Sequence, residues 1–188
     1  MMERQLRADA QANQERLLQV AAAAFARHGT DTSLKAIAAE AGVGIGTLYR
    51  RFPTREDLIE AVYRSENDRL SAAAGGLLEE MPAIDALRAW MEGFVDYMVT
   101  KQGMADALPT ILAARDGLRA QSRHALVGAV ESLVDAGQRD GVLRPDIEPY
   151  DVVMALGGIT LIAEHEDQRQ LASRLITLLI DGLVAKRP

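Results

Sequence analysis

Thr47, Tyr49 and Arg50 fall within four residues of one another, next to Gly46, and their side chains are suited to recognition. A threonine methyl can meet a thymine methyl while its hydroxyl bonds a base edge or a phosphate. A tyrosine hydroxyl donates to phosphate, and an arginine pairs with a guanine edge or a phosphate. Gly46 has no side chain and permits close approach. Gly44 and Ile45 complete this candidate set on one side. Ser33 and Lys35, upstream, are placed to grip a nucleic-acid backbone at the start of another helix. Arg55, in the first turn after Thr54, sits beside helix amide groups that favour phosphate. This is the chemistry of reading a duplex.

Two short helices position these residues. Leu34, Ile37, Ala38 and Ala41 recur at i, i+3, i+4 and i+7, which marks one buried helical stripe. Gly42-Val43-Gly44 then breaks the helix and turns the chain back. Leu48 and Phe52, four apart, anchor a second helix whose opposite face carries Gly46, Thr47, Tyr49 and Arg50. An earlier helix is expected from about Ala12 to Arg27, with Leu17, Leu18, Ala21, Ala24 and Phe25 on one face and Gly29 as its left-handed stop. Thr32 or Ser33 caps the next one. Pro53-Thr54 ends the third helix and starts a fourth, with Thr54 and Asp57 spaced as a capping box.

The run Gly42-Val-Gly-Ile-Gly-Thr-Leu-Tyr-Arg-Arg-Phe-Pro-Thr-Arg-Glu-Asp-Leu58 resembles the recognition-helix signature of the TetR family of bacterial one-component transcriptional regulators. The match extends from about Leu17 to Leu58 and has no gaps. Where many members carry a serine after Gly-Val, this chain has Gly44, which lacks a capping or phosphate-binding hydroxyl. The stretch from Ala136 to Asp146, followed by a helix, also resembles a connection in TetR-like carboxy-terminal domains. The resemblance implies a helix-turn-helix DNA-binding domain over residues 1–53 and an effector-binding and dimerisation domain over 54–188. Residues 1–11 are expected as a flexible arm, whose Arg4 and Arg7 are candidates for a minor groove. The implied function is a repressor that binds a palindromic operator as a homodimer and is released by a small molecule.

Composition sets independent bounds. A chain of 188 residues that is 48% hydrophobic but only 4% aromatic favours an all-α fold with a sizeable core. The absence of cysteine excludes disulfides and thiolate metal sites. No apolar run is long enough for a membrane span, and no signal-peptide segment opens the chain, so a cytoplasmic location is expected, with no membrane partner. The net charge of −6 is unusual for a DNA partner, but its distribution removes the conflict. Residues 1–60 carry equal numbers of basic and acidic residues, and the whole excess lies beyond them. Screening over about 8 Å leaves phosphates to feel the local Arg50, Arg51 and Arg55 cluster.

About nine helices are expected in all. The fourth runs to about Glu80, with Gly75-Gly76 as a point where it can kink. Others span Ile84 to Lys101, Ala105 to Ala114, Leu118 to Arg139, Asp151 to Glu164 and Gln168 to Ala185. The last two carry broad apolar stripes. The TetR resemblance implies a four-helix dimer interface built from Val153, Leu156, Gly157, Thr160, Leu171, Leu175, Leu178, Leu179 and Gly182; an internal core is the alternative. Trp90, Met91, Phe94, Tyr97, Met98, Met104, Leu108, Ile111 and Leu112 concentrate the large, adaptable side chains. They are either ordinary core or, as the resemblance implies, the walls of an effector cavity with Tyr97, His124 or Glu92 as polar fixtures.

Other classes have little support. His28, His124 and His165 are scattered, and no glycine-rich phosphate loop follows a strand pattern, so an enzyme is not expected and no cofactor is implied. Glu164-His165-Glu166-Asp167 reads as a solvated turn rather than a metal site, since adjacent residues at a helix end point in different directions. A dimeric small-molecule-binding module without DNA contact is the other alternative, and the intact Thr47-Leu48-Tyr49 face argues against it.

Overall fold

Caps and glycine stops divide the chain into nine helices among the described residues. The computed structural model describes the backbone of residues 2–162 and 168–185 and the side chains of residues 11–161 and 169–185. The helices are α1 (Met2–His28), α2 (Leu34–Glu40), α3 (Ile45–Arg51), α4 (Arg55–Glu80), α5 (Ala83–Gln102), α6 (Leu108–Ala114), α7 (Leu118–Arg139), α8 (Pro149–Ile162) and α9 (Gln168–Leu183). No helix among them is long and apolar enough to cross a membrane. Arg4, Arg7 and the run Glu164 to Asp167, singled out in the sequence, lie outside the described side chains.

The chain divides into two units. The first comprises Met1–Glu66 and Val99–Asp116. Its α1 buries Leu17, Leu18, Ala21, Ala22, Ala24 and Phe25, a helical stripe, and ends where the Gly29 amide donates to the Phe25 carbonyl at 2.8 Å. Helix α1 begins ten residues before the expected start at Ala12. The backbone of residues 2–11 continues the helix, since the segment has no glycine or proline and is made largely of strong helix formers. Helix α6 begins at Leu108 rather than Ala105, because residues 103–107 form successive tight turns. In these, Met104 N donates to Lys101 O at 3.1 Å and Ala107 N to Met104 O at 3.2 Å.

The second unit comprises Asn67–Met98 and Gly117–Pro188. Here α4 passes through Gly75 and Gly76 as helix. The Trp90 indole of α5 donates to the Leu70 carbonyl of α4 at 2.8 Å, and the Asn67 amide donates to Ser122 O of α7 at 3.2 Å. Helix α9 stops at Leu183 rather than Ala185 because the strap after α7 captures its end. Arg144 N donates to Leu183 O, and Ala185 N to Val142 O, each at 3.0 Å.

A candidate nucleic-acid interface

Three helices of the first unit build the candidate surface. The Ser33 hydroxyl caps α2 by accepting from the Ala36 amide at 3.4 Å. Leu34, Ile37, Ala38 and Ala41 are buried as a stripe. The turn to α3 closes when Gly42 adopts a φ of 70°, a left-handed conformation that only glycine takes without strain. The Val43 amide then donates to Ala38 O at 2.9 Å. In α3, only Leu48 is buried, with Phe52 buried directly after it. Burial of such a side chain is worth roughly 1.5 to 3 kcal/mol, so these two anchors hold the helix while the rest of its surface stays open.

That open surface gathers most of the candidate residues. Gly44, Ile45, Gly46, Thr47, Tyr49, Arg50 and Arg51 are all exposed, as are Ser33 and Lys35 at the start of α2. Gly44 is the N-cap of α3 and supplies no side-chain cap bond, so the missing hydroxyl leaves the helix start uncapped from that side. Asn13, Gln14 and Leu17 of α1, with Val43, Thr47, Arg50 and Arg51, line a groove beside α3. Arg51 donates to the Gln14 side chain across it. Arg16 turns inward from α1, donating to Ala41 O at 3.0 Å and to Asn13 Oδ1 at 2.7 Å, so it fastens α1 to the end of α2. Sequence pattern alone gives no sign of this role, since the carbonyl it meets lies 25 residues away.

Arg55 is placed differently from the rest. Its Nη1 donates to the carbonyls of Thr30 and Thr32, the latter at 2.7 Å, clamping the turn that leads into α2. The Arg55→Ala variant is expected to lose about 1.5 to 3 kcal/mol of stability, the usual worth of a charge-assisted hydrogen bond, and to weaken binding to every duplex alike. The slope of log affinity against log salt should not change. A slope shallower by about 1 would mark Arg55 as a phosphate contact instead.

The exit from α3 is capped from both directions. Thr54 N donates to Asp57 Oδ2 at 3.0 Å, and Asp57 N donates to Thr54 Oγ1 at 3.1 Å, the reciprocal pair of a capping box. The Thr54 hydroxyl also donates to Asp57, at 2.8 Å. These bonds, side chain first and backbone second, hold the Asp57 carboxyl below the ordinary 3.8, with Arg115 adding to the effect. Arg115, just after α6, reaches Glu60 Oε2 at 2.7 Å and Asp57 Oδ1 at 3.6 Å. The first two turns of α4 are thus tied to the end of α6.

The remaining candidates are distributed over both units. Trp90, Phe94, Tyr97 and Met98 are buried in the second unit, with ring centroids 5.9 Å apart for Trp90 and Phe94 and 5.8 Å for Phe94 and Tyr97. Met104, Leu108, Ile111 and Leu112 are buried in the first. His124 and Glu92 are exposed. The apolar stripes of the last two helices are split. Val153, Leu156 and Thr160 face this chain's own core, because α8 packs against α7 and α9. Leu171, Leu175 and Leu179 are half-buried, while Gly157 is half-buried and Gly182 exposed. Met154 at 50%, Leu161 at 63% and Leu178 at 66% are left open. Met154 and Leu161 were not among the residues singled out in the sequence, where an apolar residue on a helix apolar nearly all round carries no mark of which side stays uncovered.

A helix-turn-helix head whose second helix is anchored by two side chains and otherwise exposed, joined by α4 to a helical body, defines a bacterial-type transcription regulator. The comparisons agree. Residues 17–62 match the family described as bacterial regulatory proteins, tetR family. Residues 82–185 match the carboxy-terminal domain described as transcriptional regulator SbtR-like. The chain therefore belongs to the TetR family, whose members are regulators rather than enzymes. A TetR transcriptional regulator from Streptomyces coelicolor is 46% identical, with 92% of this chain and 98% of that one covered and a TM-score of 0.86. A TetR transcription regulatory protein from Mycobacterium vanbaalenii is 30% identical, covering 96% and 99% of the two chains, with a TM-score of 0.76. SmeT, the repressor of the Stenotrophomonas maltophilia multidrug efflux pump SmeDEF, shares the fold at 18% identity over 92% and 90% of the chains, with a TM-score of 0.57. No curated protein matches.

Proposed function

We propose that this protein is a cytoplasmic, homodimeric transcriptional repressor that binds a palindromic operator through α3 and leaves it when a small-molecule effector binds the body. The observation that carries the reading is the exposed face from Ile45 to Arg51, held by buried Leu48 and Phe52 and flanked by Lys35. Such a helix fits a major groove, with Thr47 and Arg50 at base edges and Tyr49, Ser33 and Lys35 on phosphates. Arg55 serves as the clamp behind this surface. Residues 1–53 form the reading head and 54–188 the body.

Exposed Leu178 on α9 and exposed Met154 and Leu161 on α8, beside half-buried Leu171, Leu175 and Gly157, support the dimer. Large apolar side chains left exposed on the last two helices are candidates for association, and a two-fold pair is what an inverted repeat requires. Effector binding acts through α4, one helix that begins in the first unit and ends in the second. A coupling of about 1 to 3 kcal/mol is typical for such switches.

Selection from randomised duplex DNA tests the reading. The expected product is an inverted repeat with half-site centres about 34 Å apart, or a multiple of that, bound with an affinity that falls steeply with salt. Failure to enrich any sequence at low salt would contradict it and leave a dimeric binding module without DNA contact.

A further inference from the structure

We propose that the seam between α4 and α7 takes an uncharged ligand group that both donates and accepts a hydrogen bond, a hydroxyl or a carboxamide, through Ser71 and Asn67. The inference rests on the small-molecule reading above and gives that molecule a chemistry. Both residues belong to the second unit. The Ser71 hydroxyl oxygen is shut off from solvent and has no hydrogen-bond partner among the described residues. A hydroxyl inside a helix commonly returns to the carbonyl four residues back. In the same unit Ser132 donates to Gly128 O at 3.1 Å, Thr160 to Leu156 O at 3.1 Å and Thr177 to Ser173 O at 3.0 Å. Ser71 makes no such bond to Asn67 O. Asn67, one turn earlier on the same face of α4, is 2% exposed and gives one amide hydrogen to Ser122 O of α7 at 3.2 Å. Its amide oxygen and second hydrogen keep their capacity.

The ligand's chemistry follows from these groups. Side chains four apart on a helix stand about 5 to 6 Å from each other, which is two hydrogen bonds of about 2.8 Å laid end to end. One ligand group between Asn67 and Ser71 therefore meets both. A buried polar atom left unpaired costs about as much as a lost hydrogen bond, and a ligand that pairs it recovers that cost. The ligand group is uncharged, because neither a hydroxyl nor an amide offsets a buried charge. Leu70, next to Ser71, gives its carbonyl to the Trp90 indole, and Trp90 lies against Phe94, so an apolar or aromatic remainder suits the surroundings. With the Ser71 hydroxyl sealed, a ligand enters only as α4 and α7 part. Occupancy is thereby coupled to the position of α4.

Benzamide, benzoate and toluene are alike in size and differ in the group they offer, so each is added at millimolar concentration to the full chain and to Ser71→Ala. Benzamide should raise the melting temperature of the wild type and shift the Trp90 emission, while benzoate and toluene should do neither. Ser71→Ala should bind benzamide about tenfold more weakly, the factor that one such hydrogen bond is worth. Without any probe, it should melt about 2 to 4 °C above the wild type, since the unpaired hydroxyl is gone. A probe-free Ser71→Ala that melts at or below the wild type overturns the inference, because its hydroxyl is then satisfied in solution. Unchanged benzamide binding by the variant, benzoate or toluene bound as tightly as benzamide, or no binding of benzamide overturns it as well, while the effector reading stands. Benzamide bound through Ser71 with operator affinity unchanged keeps the site and contradicts its use as the effector switch.

Discussion

Adding one methyl group at Gly103 is expected to destabilise the protein more than almost any other single-carbon change. Gly103 follows the last turn of α5 in the first unit, and a Cβ built there would lie 2.2 Å from the Phe25 carbonyl oxygen, 2.6 Å from its carbon and 2.8 Å from the Ala26 Cα. All three neighbours are backbone of α1, so no side-chain rotation relieves the clash. Either α1 or the α5 end must move, and both hold buried residues such as Phe25 and Met104. Overpacking of this kind costs about 3 kcal/mol, which lowers the melting temperature by roughly 6 to 12 °C in a chain of this size. Gly75→Ala is the matched control. That glycine is exposed within α4 with nothing near its added Cβ, and the change should stabilise by up to about 1 kcal/mol through helix propensity. A Gly103→Ala variant melting with the wild type would mean that the close approach between these segments does not persist in solution.

Trp90→Ala should cost about 3 to 5 kcal/mol, the range for removing a buried aromatic side chain. The indole is 1% exposed, lies against the Phe94 ring and donates to Leu70 O, so it pins α4 to α5 within the second unit. Trp90→Phe keeps most of the apolar volume and loses mainly the hydrogen bond, for about 1 kcal/mol. Because Trp90 is the sole tryptophan, wild-type fluorescence reports this one position. Its emission should shift to the red in a single step when denaturant unfolds the protein. An emission already red in the native protein would contradict the burial described. The same probe serves the effector proposal, since a ligand among Trp90, Phe94 and Tyr97 would change the emission.

The helix-turn-helix was largely legible because its signals are local. Ser33, Gly42, Thr54 and Asp57 act within three or four residues of their partners, and the Leu34, Ile37, Ala38, Ala41 stripe has one helical period. Helix α7 likewise begins after Gly117 and ends at Arg139, where sequence punctuation put both limits. What was not legible depends on distant partners. Arg55 meets carbonyls 23 and 25 residues away, and nothing in its neighbourhood distinguishes such a clamp from a phosphate ligand. The late start of α6 follows a turn next to the Gly103 approach to α1, which overrides the helix propensity of Met104 to Ala107. On α8, Val153 and Leu156 are as apolar as Met154 and Leu161. Only packing against α7 and α9 decides which pair goes inside, so an interface stripe and a core stripe could not be separated by periodicity.

Under the proposed function, the exposed face of α3 reads DNA. This is tested most directly by comparing the wild type with the combined variant Thr47→Ala, Tyr49→Ala, Arg50→Ala on the selected duplex at one salt concentration. All three side chains are exposed, and alanine is a good helix former, so circular dichroism and melting temperature should be unchanged. Each lost contact is worth about 1 to 3 kcal/mol where it touches a base. A loss of affinity on the order of a hundredfold or more is therefore expected. A folded triple variant that binds the duplex as tightly as the wild type would contradict it.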